Sequence, residues 1–118
     1  MKEDTVRFAL FAEVFAALAH PKRLEIIHYL VAGQRNAGEL ADLTGLSKAN
    51  VSQHLSILKA RGLVHCDKRG TFCHYRLTSP RVIETCEIVR QLILGQMDLN
   101  TTYRRHLAKV LPLRTRRS

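Results

Sequence analysis

NAGELADLTGLSKANVSQHLSILKARG, residues 36–62, is the stretch that decides the fold. It predicts two short helices joined by a tight turn. Asn36 is placed to cap the first helix, and Glu39 follows three residues later, as in a capping box. Gly45 supplies a backbone free to take positive φ, which a helix C-terminus often needs. Ser47 is placed to cap the second helix. The stretch therefore predicts a helix-turn-helix.

The second of these helices has two chemically different sides. Val51, Leu55 and Leu58 recur at intervals of four and three residues and predict a buried stripe. The outward side carries no carboxylate and suits the major groove of DNA, where amides and hydroxyls read base edges and lysines meet phosphates. An ordinary helical hairpin with a solvated outer side is the alternative. The outward positions are Lys48, Ala49, Ser52, Gln53, Ser56 and Lys59.

After this helix the periodicity becomes that of strands. LVHCDKRGTFCHYRL, residues 63–77, alternates around Arg69-Gly70 and predicts a β-hairpin. A hairpin with a cationic tip directly after a recognition helix is the plan of a winged helix, whose tip can reach the minor groove or the backbone. A structural hairpin with a solvated tip is the alternative. A loop symmetric about Arg69-Gly70 places Cys66 opposite Cys73, His65 opposite His74, and Val64 opposite Tyr75.

The two outer helices are each apolar over more than one side. A chain this short cannot easily enclose such helices, so we expect them to pack on a second subunit across a two-fold axis. A first helix lying deep in its own domain is the alternative. The positions are Phe8, Phe11 and Phe15 in the first helix, and Val82, Cys86, Val89 and Ile93 in the helix that opens at Ser79-Pro80.

Composition narrows the function classes. The 118 residues carry 19 basic and 10 acidic side chains, a net charge of +9, which favours a polyanionic partner such as nucleic acid. No apolar run is long enough to span a bilayer, and the N-terminus lacks the apolar core of a signal peptide. Three cysteines fit a reducing compartment. We therefore expect a cytoplasmic protein without a membrane partner. The sequence shows no readable nucleophile–base motif, so we do not expect an enzyme.

The motifs together resemble the ArsR/SmtB family of bacterial winged-helix repressors, over residues 11–94. The resemblance rests on VFAALAHPKRLEIIHYL (14–30), GELADLTGLSKANVSQHLSILKARGLV (38–64) and the basic hairpin ending YRLT (75–78). It implies a mainly α, winged helix-turn-helix homodimer, formed through the first and C-terminal helices, that binds an inverted repeat in double-stranded DNA and releases it with an effector. Carried over by position, the DNA contacts are Lys48, Ala49, Ser52 and Gln53, with Ser47 and Asn50 in support and Arg69 in the wing.

The sensing sites known in that family do not match this sequence. The arsenic type needs a Cys-x-Cys pair before the recognition helix, and the lead/cadmium type needs cysteines within that helix. The zinc type needs four ligands in the C-terminal helices, and the persulfide type pairs a cysteine of the second helix with a later one. The matching positions here hold Asn36 and Gly38 for the arsenic type, Ser79, Arg81, Leu92 and Gly95 for the zinc type, and Leu94 for the later persulfide cysteine.

Cys66, Cys73 and Cys86 remain as candidates for an effector site. A facing pair of cysteines can bind a soft metal or metalloid through thiolates, or oxidise to a disulfide. His65 and His74 are borderline ligands on the opposite side of the hairpin. Each cysteine also fits as a small apolar residue, above all Cys86 on its apolar stripe. No cofactor is therefore certain, and a thiolate-bound metal or metalloid stays open.

The sequence thus predicts a homodimeric repressor with a thiol-based response to a soft metal, a metalloid or a reactive sulfur or oxygen species. A constitutive DNA-binding protein with structural cysteines and no effector is the alternative. We expect one DNA-binding and dimerisation domain over residues 1–98. A C-terminal extension over 99–118 would hold a short helix and a basic tail.

Overall fold

A computed structural model describes residues 2–96, 105, 106 and 109. The described residues up to Leu77 form one compact unit, and the described residues from Thr78 onward form a second. The elements are α1 (Glu3–Leu18), α2 (Pro21–Leu30), α3 (Ala37–Thr44), α4 (Lys48–Ala60), β1 (Val64–Arg69), β2 (Phe72–Leu77) and α5 (Pro80–Gln96). This order confirms the predicted mainly α fold with one hairpin after the recognition helix. The predicted end of the domain at residue 98, and nearly all of the predicted extension, lie outside the described residues.

The core of the first unit lies where α2, α3 and α4 meet. The predicted stripe of α4 is buried, with Val51, Leu55 and Leu58 each at most 1 % exposed. Ile26 and Ile27 of α2 are fully buried as well. These helices are held together by the burial of apolar surface, which contributes about 25 cal/mol for each Å² removed from water. The core therefore fixes the orientation of α4 and leaves its other side in solvent.

The hairpin is antiparallel, but the predicted register is wrong. Cys66 lies opposite Tyr75 and Lys68 opposite Cys73, so each residue pairs two positions further along than the sequence predicted. The reason is the loop, which consists of Gly70 and Thr71. Gly70 takes a φ of +63° at the first loop position, where the tight turns that match strand twist need positive φ. His65 likewise pairs with Arg76 rather than His74, and Val64 with Leu77 rather than Tyr75.

A shift of two positions keeps every side chain on its predicted side, because side chains alternate with a period of two. Cys66 and Cys73 thus remain on one side of the hairpin as diagonal neighbours.

A third segment extends the sheet: the backbone N–H and C=O of Arg35 exchange hydrogen bonds with those of Tyr75, at 3.1 and 2.9 Å. The loop between α2 and α3 is therefore fastened to β2. We call β1, β2 and the Gly70-Thr71 loop the wing.

The outer helices leave apolar side chains in solvent. In α1, Phe8, Phe11 and Phe15 are 65, 55 and 62 % exposed, so α1 does not lie deep within its own unit. In α5, Ile88 and Leu92 are 66 and 61 % exposed. Within the described residues, no helix has the length and apolar character needed to cross a bilayer. Within the single chain, the apolar side chains of α1 and α5 that were predicted to pack on a second subunit therefore remain exposed.

Candidate nucleic-acid interface

The N-terminus of α4 is built as the sequence predicted. The Ser47 hydroxyl accepts a hydrogen bond from the backbone N–H of Asn50 at 3.1 Å, which satisfies one of the free N–H groups of the first turn. The turn before it ends α3 with Gly45 at a φ of +77°. Glu39 and Asn36 form the predicted capping box at the start of α3, with bonds of 2.8 and 2.9 Å. Side-chain hydrogen bonds thus cap the starts of both helices of the helix-turn-helix.

The predicted base-reading side chains share one exposed side of α4. All of the residues singled out there are solvent-exposed, and the first turn of the helix has no acidic residue. A shallow depression on this side of the helix is wide open to solvent. Positive charge at its start and neutral donors along it are the chemistry that a DNA groove accepts. The exposed candidates are Ser47, Lys48, Ala49, Asn50, Ser52 and Gln53.

Two basic side chains at the start of α2 fix the neighbouring helices. Lys22 donates from Nζ to the Thr44 carbonyl at 2.9 Å and so caps the end of α3. Arg23 donates from Nε to the Ala17 carbonyl at 2.6 Å, near the end of α1, and its Nη1 lies 3.3 Å from Nδ1 of His54 on α4. Both cations meet helix C-termini, where the helix dipole favours positive charge. Sequence patterns did not single out either residue, because the partners are distant along the chain.

His54 is a packing residue that contacts other basic groups. Its ring lies 4.6 Å from that of His20, whose Nδ1 accepts the backbone N–H of Lys22 at 3.1 Å and caps α2. Burial lowers the pKa of His54 below 6.5, and the nearby His20 and Arg23 lower it further. His54 therefore stays neutral at pH 7.

A network of side chains braces the wing. Asp67 of β1 accepts from Arg76 Nε at 3.0 Å and from Gln34 Nε2 at 2.9 Å, and its other oxygen lies 3.0 Å from His65 Nε2. Arg69, the predicted wing contact, donates from Nη2 to Gln34 Oε1 at 3.2 Å. We call these five residues the wing network. Sequence analysis missed Gln34, Asp67 and Arg76, since the predicted register did not bring positions 67 and 76 together.

Cys66 and Cys73 form a disulfide on the other side of the wing. Their Cα atoms lie 5.6 Å apart, within the range that a disulfide requires, and both side chains are half-buried. Cys86 is a free, buried cysteine of α5, and burial raises the pKa of its thiol. A protonated thiol is a poor nucleophile and ligand. In the described part of the chain, no three side chains among His, Cys, Asp and Glu converge on a metal-sized site.

The sequence profile of one known family matches this part of the chain. The profile is described as bacterial regulatory protein, arsR family, and it covers residues 20–65, from the start of α2 to the first residues of β1.

Three known proteins show how far the similarity extends. An uncharacterised helix-turn-helix transcriptional regulator of Mycobacterium tuberculosis is 34 % identical over 92 residues, 77 % of this chain and 81 % of that protein. Its crystal structure superposes with a TM-score of 0.70, covering 75 % of this chain and 89 % of that one. A Streptomyces lividans protein named as a probable mercury resistance operon repressor is 35 % identical over 81 residues, 69 % of this chain and 65 % of that protein.

The third is a solution structure from Mycobacterium bovis, described as a homodimeric winged helix-turn-helix DNA-binding domain. It superposes with a TM-score of 0.76 at 28 % identity and covers 83 % of this chain and 91 % of that one. The similarity therefore spans the helix-turn-helix, the wing and most of the flanking helices.

Proposed function

This chain belongs to the ArsR family of bacterial regulatory proteins, and we propose that it is a homodimeric transcriptional repressor that binds an inverted-repeat operator. The observation that carries the proposal is the outward side of α4. This side is exposed and carries no carboxylate, and Ser47 caps the start of the helix. The core orients α4, and the cationic tip of the wing belongs to the same unit. The proposed DNA contacts are Ser47, Lys48, Ala49, Asn50, Ser52, Gln53 and, in the wing, Arg69.

The uncovered apolar side chains of α1 support a homodimer. Phe8, Phe11 and Phe15 are each more than half exposed, and a similar domain from Mycobacterium bovis is described as homodimeric. A two-fold axis would place two copies of α4 about 34 Å apart, one turn of DNA, so that each reads half of a palindrome. Each well-placed bidentate base contact contributes about 1–3 kcal/mol of discrimination, and the dimer doubles the number of contacts.

The experiment that tests this proposal measures assembly and sequence preference together. The purified protein selects its preferred site from a random duplex library, and sedimentation gives its mass. We expect a dimer and an enriched inverted repeat, bound more tightly than a scrambled duplex at moderate salt. Phe11→Glu with Phe15→Glu should yield monomers with weak, unselective binding. Leu43→Glu, which alters an exposed leucine of α3, should leave the dimer intact.

We further propose that Cys66 and Cys73 form the effector site. Their proximity across the hairpin supports a pair that responds as a unit. In oxidation by a peroxide, each thiol gives up a proton and an electron as the S–S bond forms. The O–O bond of hydrogen peroxide breaks, and the products are two water molecules. A soft metal or metalloid would instead bind both thiolates and displace two protons.

The buried Cys86 thiol is the weaker candidate of the three. Its raised pKa keeps it protonated at pH 7, and it shares an apolar stripe with Val82. Release of the selected duplex is measured under arsenite, cadmium, mercury, persulfide and peroxide. We expect Cys66→Ser with Cys73→Ser to abolish the response to whichever agent releases the wild type. Equal release in both proteins would show that these two thiols are not the switch. If none of the agents releases the wild type, a constitutive DNA-binding protein with structural cysteines is favoured instead.

A further inference from the structure

We infer that Gln34 is a positioning residue for DNA binding, because its side-chain amide holds the Arg69 guanidinium in a fixed place without neutralising its charge. The inference rests on the proposed function, in which Arg69 contacts DNA from the wing. Gln34 lies in the loop between α2 and α3 and is 35 residues before Arg69, so no sequence pattern joins the two.

Gln34 uses both ends of its amide. The carbonyl oxygen Oε1 accepts from Arg69 Nη2 at 3.2 Å, and Nε2 donates to Asp67 Oδ2 at 2.9 Å. Arg69 and Asp67 lie two residues apart on one side of β1, so the amide spans the gap between them. The backbone of the next residue, Arg35, is fastened to Tyr75 by two hydrogen bonds. Gln34 is therefore an anchored support and not a free surface side chain.

The charge of Asp67 is already satisfied by other groups. Arg76 Nε lies 3.0 Å from one carboxylate oxygen, and His65 Nε2 lies 3.0 Å from the other. Burial acts to raise the pKa of Asp67, but Arg76 and His65 outweigh burial and lower the pKa below its usual value. The carboxylate is thus ionised and paired, and the Gln34 amide lies between it and Arg69.

Arg69 as a result keeps an uncompensated positive charge. Among the residues that the structure describes, it forms no ion pair, and its hydrogen bond goes to a neutral oxygen. A guanidinium has five N–H donors, so the remaining ones are available to phosphate oxygens, with which arginine forms strong charge-assisted pairs. Fixing a flexible side chain before binding removes part of the entropic cost of ordering it on DNA.

The test is a double-mutant cycle on the full-length protein, with the inverted repeat that it enriches from a random library as the probe. Gln34→Ala should weaken binding about 3- to 10-fold, the range expected for one or two hydrogen bonds. In an Arg69→Ala background, the same change should have no further effect. In a Lys68→Ala background, which removes the neighbouring wing-tip cation, Gln34→Ala should keep its full effect. Gln34→Glu should weaken binding more than Gln34→Ala, because a carboxylate would pair with Arg69.

Two controls separate positioning from folding and from the proposed function. The melting temperatures of wild type and Gln34→Ala should agree within about 2 °C, since the bonds are exposed. Losses that add independently in Gln34→Ala with Arg69→Ala, or no loss in Gln34→Ala alone, would overturn the inference while leaving repressor function intact. A wild-type protein that enriches no sequence would instead refute the proposed function itself.

Discussion

Reducing the Cys66–Cys73 disulfide should destabilise this protein measurably. The bond closes a loop of about eight residues, since the two cysteines are seven positions apart. In the chain-entropy description, such a loop constrains the unfolded chain by about 2.5 kcal/mol at 25 °C. For a chain of 118 residues, that corresponds to a fall of about 10 °C in melting temperature.

The assay compares oxidised and phosphine-reduced protein by thermal melting followed by circular dichroism. Intact mass, which differs by two hydrogens, establishes the state of each sample. Cys86→Ala is the matched control, because it removes the free buried thiol and leaves the wing pair in place. It should keep the full difference between its oxidised and reduced forms, even though its own melting temperature is lower.

Cys66→Ser with Cys73→Ser should show no dependence on reductant. Oxidised and reduced wild type that melt within about 2 °C of each other would refute the reasoning. A redox difference that persists in the double serine variant would refute it equally, because another thiol would then be responsible.

Three other changes have expected outcomes. Ser47→Ala should destabilise the protein by about 1 kcal/mol, read from urea unfolding, and an unchanged midpoint would contradict its role as a cap. Because the folded pKa of His54 lies below 6.5, the unfolded state binds more protons as the pH falls through 6.5. Wild type should thus lose more stability between pH 7.5 and 5.5 than His54→Gln, and parallel losses would contradict this. Gln53→Ala should weaken binding to the enriched repeat about 10-fold or more, while binding to scrambled duplex at low salt is unchanged; equal weakening on both duplexes would argue against base reading.

Features that depend on neighbouring residues could be predicted from the sequence. The caps at Asn36 and Ser47, the positive φ of Gly45 and the buried stripe of α4 all depend on residues within four positions of one another. The helix-turn-helix with its wing was predictable for the same reason, since each element carries its own periodicity and its own stop signals. The uncovered apolar side of α1 was visible as well, because its pattern is wider than one core contact requires.

The hairpin register marks where that reasoning failed. Alternation fixes which side each residue takes but not its partner, since a shift of two positions preserves the sides. The conformation of Gly70 decided the pairing and made Cys66 and Cys73 diagonal neighbours. The observed register would have been predicted by assuming a two-residue loop with Gly70 at its first position.

What only the tertiary structure decided is the set of contacts between residues far apart in the chain. Gln34 reaches Arg69, and Arg23 reaches His54, across separations of 35 and 31 positions. Each pair depends on the angle at which whole elements pack. In addition, a polar side chain on a loop or at a helix end belongs to no periodic pattern from which its contact could be predicted. The sequence by itself determined which helix could face DNA, while packing determined how the wing is held beside it.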